Sequence, residues 1–176
     1  MVMQMLSAVG IKPLTDGERA ADENNPKGYF ELEKVKQLKS SNNWLDEAKG
    51  KSIKVVSPLL PYLPQGLPYR VIVIERDIDE IVASQHHMLK KMGEESADLS
   101  DEKLKVYLTG QLNGSKNRLH IHDVPWLGIS HSETIEHPEQ IAEKIAEFLG
   151  GGLDTKAMSK VVDASLHRQR GQSTTT

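Results

Sequence analysis

The chain has 176 residues, enough for one domain with a sizeable apolar core. Its hydrophobic (38%) and charged (27%) fractions are those of an ordinary water-facing globule, and a net charge of −3 gives no general attraction to nucleic acid or anionic lipid. With no cysteine, disulfides, thiolate metal sites and a cysteine nucleophile are excluded; that usage fits a reducing, cytoplasmic setting.

In chain order, Met1, Met5, Leu6 and Val9 share one face of a helix that shows no N-cap, acidic first turn or lead-in loop. Gln4 interrupts the apolar run and no basic residue precedes Lys12, so a signal peptide is not indicated, and no run is long enough to span a bilayer. Residues 11 to 30, rich in Asp, Glu, Asn, Gly and Pro, read as a long loop. Tyr29 to Leu45 carries Phe30, Leu32, Val35, Leu38 and Leu45, a helical pattern interrupted near Asn42-Asn43. Ser52 to Ser57 reads as a short β-branched strand closed by Pro58, followed by an irregular connection to Pro68.

Arg70 to Glu75 is the strongest strand: Val71, Ile72, Val73 and Ile74 form a continuous apolar run of the kind covered on both faces in a parallel sheet. Asp77 then caps a helix, with Glu80 at capping-box spacing and Ile78, Ile81, Val82, Leu89 and Met92 as its stripe. Another helix is expected from about Ser100 to Arg118, then short strands at Leu119 to Ile121 and Leu127 to Ser130. Pro138 starts an amphipathic helix that Gly150-Gly-Gly152 stops, and Asp154 caps a last helix through Val162. Strands alternating with helices predict an α/β fold with a mostly parallel sheet flanked by helices, whose ligands sit at the carboxyl ends of strands. Residues 1–168 form one domain and 169–176 a disordered polar tail.

Arg76 sits at such a carboxyl end. Its guanidinium matches phosphate oxygens, and the following helix offers free N–H groups. Ser84 lies about two turns beyond Asp77 on the same face, so an Arg and a Ser can converge on one anion. The structural alternative is that Arg76 pairs with Asp79 or Glu80 and Ser84 is an ordinary helix serine. His120 and His122 would share one face of a strand and invite a metal, but no third and fourth ligand stands at sensible spacing; no metal is expected. No basic–aromatic patch points to nucleic acid.

The segment Ile74-Glu-Arg-Asp-Ile-Asp-Glu-Ile-Val-Ala-Ser84 resembles the strand–Arg–helix–Ser segment of the sulfotransferase family. Asn25-Pro-Lys-Gly-Tyr-Phe-Glu31 is similar to a loop of bacterial members. Ile53-Lys-Val-Val-Ser-Pro58 resembles the preceding family strand, and Ser132 to Pro138 with the helix ending Phe148-Leu-Gly150 resembles a later segment. Val162 to Arg170 is similar to the end of bacterial members. The resemblance implies a P-loop nucleotide-hydrolase-like sulfotransferase fold and the donor 3′-phosphoadenosine-5′-phosphosulfate, with Arg76 and Ser84 on its 3′-phosphate. Arg168 to Gly171 would be a weak additional contact.

Where many members read Lys-Thr-His, this chain reads Lys54-Val-Val56, so the usual histidine base is replaced by Val56. Lys54 is then expected to stabilise charge, and Glu31 is the candidate base; the long loop that carries Asp16, Glu18 and Arg19 offers the other carboxylates, Asp16 and Glu18. Met1 to Gly10 matches the helix that follows the family's phosphate loop. The expectation is therefore an N-terminally truncated domain lacking the first strand and loop, with an exposed sheet gap open to self-association and impaired transfer to a hydroxyl or amine acceptor, a small molecule or glycan. A non-catalytic nucleotide-binding or interaction module keeping only the 3′-phosphate site is the alternative.

Overall fold

The computed structural model describes residues 1–18, 28–92 and 100–163. It is a mixed α/β structure in which a small parallel sheet is flanked by helices. Helix α1 (Val2–Ala8) leads into loop 11–18. After short 3-10 turns at Glu33–Gln37, Asn43–Ala48 and Ser57–Tyr62 come strand β1 (Val71–Glu75) and helices α2 (Ile78–Met92) and α3 (Asp101–Ile121). Strand β2 (Trp126–Ser130) then pairs parallel with β1, from Val71↔Trp126 to Glu75↔Ser130, and α4 (His131–Glu136), α5 (Pro138–Phe148) and α6 (Thr155–Lys160) follow.

Local chemistry sets most of these boundaries. The Asp77 carboxylate accepts the N–H groups of Asp79 (2.8 Å) and Glu80 (3.2 Å), closing the open end of α2. Pro138 opens α5 at a position whose N–H would have no helical partner anyway. The helix ends at Gly150, whose φ of 111° is a conformation that side chains resist. Asp154 caps α6 by accepting from Ala157 N at 3.0 Å.

Pleating divides the sheet's side chains between two faces. Ile72, Leu127 and Ile129 face a core formed by Met5 and Leu6 of α1, Ile141 and Ile145 of α5 and Met158 of α6. The opposite face carries Glu75, which meets Lys116 of α3 at 2.8 Å. A Cβ at Gly128 would lie 2.7 Å from the Glu75 carboxylate and 3.3 Å from the Trp126 ring, so glycine leaves the room that carboxylate occupies. A second apolar cluster, Leu32, Val35, Leu38 and Trp44, gathers under the 3-10 turns together with Ile53 and Val55.

Four elements differ from expectation. Ser52 makes an isolated parallel bridge to Pro13, but 53–56 forms no strand, because no second strand lies alongside it among the described residues. Leu119 to Ile121 is the last turn of α3, not a strand. Leu119 is buried at 4%, and Arg118 and His120 suit the negative end of a helix. The chain reverses just beyond, at Asp123, whose φ of 50° is one that aspartate tolerates better than most residues. The run Val71 to Ile74 is only half-buried, and Ile74 is 49% exposed, because among the described residues β1 has a strand on one edge alone. The two halves of the pattern Tyr29 to Leu45 become 3-10 turns instead of one interrupted helix. The tail 169–176 lies outside the described residues, and no described helix is long and apolar enough to cross a membrane.

Candidate functional site

Arg76 stands one residue past the carboxyl end of β1. Its Nε donates to Glu80 Oε2 at 2.9 Å, so of the two possible carboxylate partners the structure selects Glu80. Asp79 instead pairs with Lys105 of α3, which raises the proton affinity of that ammonium through the hydrogen bond. With Nε engaged, the remaining guanidinium nitrogens Nη1 and Nη2 make no hydrogen bond among the described residues, and the side chain is 28% exposed. An arginine held in this way is oriented by its carboxylate while keeping most of its donors for another acceptor.

Ser84 lies one helical turn beyond Glu80, so Arg76, Glu80 and Ser84 follow one another at four-residue spacing. Arg76 thus meets a nearly buried carboxylate (10% exposed), and Ser84 follows that carboxylate's residue by one turn of α2. The N–H groups of Asp79 and Glu80 are already taken by the Asp77 cap, so α2 offers fewer free donors than its position suggests.

The two expected catalytic residues are brought together elsewhere. Lys54 Nζ donates to Glu31 Oε1 at 3.1 Å and to the Tyr29 carbonyl at 3.3 Å, and lies 6.0 Å from the centre of the Tyr29 ring. Twenty-three residues separate Lys54 from Glu31. Between Tyr29 and Glu31, Phe30 has φ 53°, a left-handed conformation that costs a bulky residue about 1–2 kcal/mol and turns the chain sharply at this point. Lys54 and Tyr29 line an open cleft of about 720 Å³, which Arg76 and Ser84 do not line. The lysine–glutamate pair thus adjoins this cleft, while Arg76 and Ser84 follow the end of β1 beyond Ile74, the last β1 residue lining it.

The loop candidate Asp16 is structural. Its carboxylate accepts the N–H groups of Glu33 and Glu18, and Thr15 Oγ1 donates to the Glu31 carbonyl at 2.7 Å, fastening the loop to the segment that carries Glu31. Those backbone hydrogen bonds, the one from Glu33 foremost, hold the Asp16 pKa below its usual value. A lowered folded-state pKa contributes stability that is present above the unfolded value near 3.8 and is lost as pH falls through the folded one. Amide exchange of residues 31–37 is therefore expected to accelerate as pH drops below about 4, after correction for the intrinsic pH dependence of exchange. Asp16→Ala is expected to bring the same loss of protection at neutral pH.

Arg19, Asn25-Pro26-Lys27 and Arg168 to Gly171 lie outside the described residues. His120 is on a helix, and His122, just beyond it, approaches Gln65 at 3.2 Å, so the alternating-strand geometry behind a shared histidine face is absent. No group of three or more potential metal ligands occurs among the described residues. Two cleft residues, Lys51 and Arg70, were not singled out from sequence. Their only signal is that each flanks an apolar run. No family model matches this chain, and no curated protein or solved structure matches it.

Proposed function

We propose that this chain is a sulfotransferase-type domain that binds the 3′-phosphate of 3′-phosphoadenosine-5′-phosphosulfate through Arg76 and Ser84. The observation that carries this reading is Arg76 itself: at the carboxyl end of a parallel strand, oriented by Glu80 through Nε, with both Nη nitrogens open. In the reaction the sulfur–oxygen bond to the donor's phosphate breaks as sulfur bonds to the oxygen of a hydroxyl or the nitrogen of an amine acceptor, a small molecule or glycan, and the nucleotide leaves with the bridging oxygen on its phosphate. The acceptor proton goes to Glu31, and Lys54 stabilises the charge left on the phosphate. A reducing, cytoplasmic setting fits a chain without cysteine.

A second reading, a non-catalytic module that keeps only the 3′-phosphate site, is favoured by one feature of the geometry. Lys54 and Glu31 are engaged with each other, beside a cleft that Arg76 and Ser84 do not line. Val56, which stands where many family members carry the histidine base, has no group to move a proton.

Calorimetric titration with adenosine 3′,5′-bisphosphate tests the shared part of both readings. Saturable binding is expected, weakened tenfold or more by Arg76→Ala and a few-fold by Ser84→Ala. Absence of binding at millimolar ligand, or equal binding by Arg76→Ala, would overturn both. Transfer of labelled sulfate to a panel of hydroxyl and amine acceptors, lost in Lys54→Met and Glu31→Gln, separates the enzyme from the module.

A further inference from the structure

The cleft beside Lys54 has a feature that nucleotide binding does not use. One wall is the free edge of β1, the other the segment 52–55, and the apolar side chains of Val2, Leu6, Ile53, Val55, Ile72 and Ile74 line it. Val71 N donates to Pro125 O at 2.9 Å, so in the parallel register Val71, Val73 and Glu75 turn their backbone groups toward β2. Ile72 and Ile74 turn theirs the other way, into the cleft. On the far wall Ser52 spends its N–H and carbonyl on Lys12 (3.0 Å) and Leu14 (2.8 Å), while the backbones of Ile53 and Val55 have no hydrogen-bond partner among the described residues. Both walls therefore hold peptide groups that have no partner among the described residues, beside apolar side chains.

We propose that this cleft takes one extended strand of another polypeptide, apolar at alternate positions and acidic at its flanks. Backbone groups on both walls call for a peptide, since an apolar small molecule would leave them unpaired. Walls on both sides favour a single inserted segment over the sheet edge of a second folded copy. In a layered sheet each strand residue fills roughly 160 Å³, taking the rise, strand spacing and sheet separation together. A cleft of about 720 Å³ thus holds four or five residues, the length of β1 itself. The charge follows from the rim. Lys49 is paired with Asp46 at 2.9 Å and Lys54 with Glu31, but Lys51 and Arg70 have no ion-pair partner among the described residues. Acidic residues at the ends of the incoming strand would meet those two cations.

The test uses a short fluorescent peptide of alternating isoleucine and threonine between glutamates, titrated into the full chain by anisotropy. Light scattering of the same samples reports their oligomeric state. Saturable binding to a monomer is expected. N-methylation of the peptide at alternate residues, in the register that removes its edge-facing N–H groups, is expected to weaken it tenfold or more. Ile74→Pro removes a cleft-facing N–H while leaving the bonds to β2, and is expected to cost about tenfold with an unchanged circular dichroism spectrum. Lysine flanks in place of glutamate are expected to weaken binding several-fold at low salt. Equal binding of the methylated and unmethylated peptides in both registers, no saturable binding, or a dimer of the chain that the peptide fails to displace would overturn the proposal, the last by placing a second copy in the cleft.

Discussion

Replacing Ile145 with alanine is expected to lower the unfolding free energy by about 2–5 kcal/mol. Ile145 is fully buried on α5, in the cluster where α1, α6 and the core face of the sheet meet. Alanine removes three carbons from water-excluded packing and leaves a cavity that these elements fill only in part. The two methionines of the cluster, Met5 and Met158, are the side chains best able to shift into the space, which argues for the lower half of that range. In a domain of this size each kcal/mol corresponds to a fall of about 2–4 °C in the melting temperature. Urea unfolding followed by circular dichroism measures the change, with Val106→Ala, 73% exposed on α3, as a control expected to stay within about 0.5 kcal/mol. A loss below about 1 kcal/mol at Ile145 would mean that the contact of α1, α5 and α6 is not the centre of the core.

The second large effect concerns Glu80. Its carboxylate meets Arg76, one helical turn before Ser84 in the chain, and at 10% exposure it is poorly screened from an anion bound at Arg76. Glu80→Gln removes that charge but keeps an oxygen that can accept from Arg76 Nε, so the guanidinium stays oriented. Affinity for adenosine 3′,5′-bisphosphate is expected to rise about tenfold, while stability falls by about 1 kcal/mol as the ion pair becomes a neutral hydrogen bond. The opposite signs make the result diagnostic. A purely structural ion pair would give the loss of stability with no gain in binding. Unchanged affinity in Glu80→Gln would place the phosphate away from the Arg76–Ser84 stripe.

The β1–α2 unit illustrates how far local signals reach. A continuous β-branched run followed by an arginine and a capping aspartate specifies a strand, a turn and a helix start within a few residues of one another, and the structure has all three. Helices α5 and α6 were equally legible, since Pro138, Gly150 and Asp154 mark their ends by backbone chemistry that needs no distant partner. The misread elements were those whose fate depends on a neighbour. Ile53 to Val56 has the residues of a strand but, among the described residues, no strand alongside it. Leu119 to Ile121 has a strand-like composition but continues a helix whose buried Leu119 fixes its last turn. Around Arg76 the sequence offered Asp79 and Glu80 as equivalent partners, and Lys105, arriving from α3, drew Asp79 away.

Local residue patterns are enough to set where most helices start and stop, where the strongest strand lies, and that an arginine ends it. Caps, glycines and apolar periodicity act over a few residues, and they operate before any tertiary contact exists. It takes the folded chain to bring Lys54 to Glu31 across twenty-three residues, to hold Arg76 against Glu80, and to leave β1, among the described residues, with one edge open beside an apolar cleft. Ion-pair choice and strand pairing are settled by which side chains and backbones meet after long loops have closed, and no local pattern encodes that meeting.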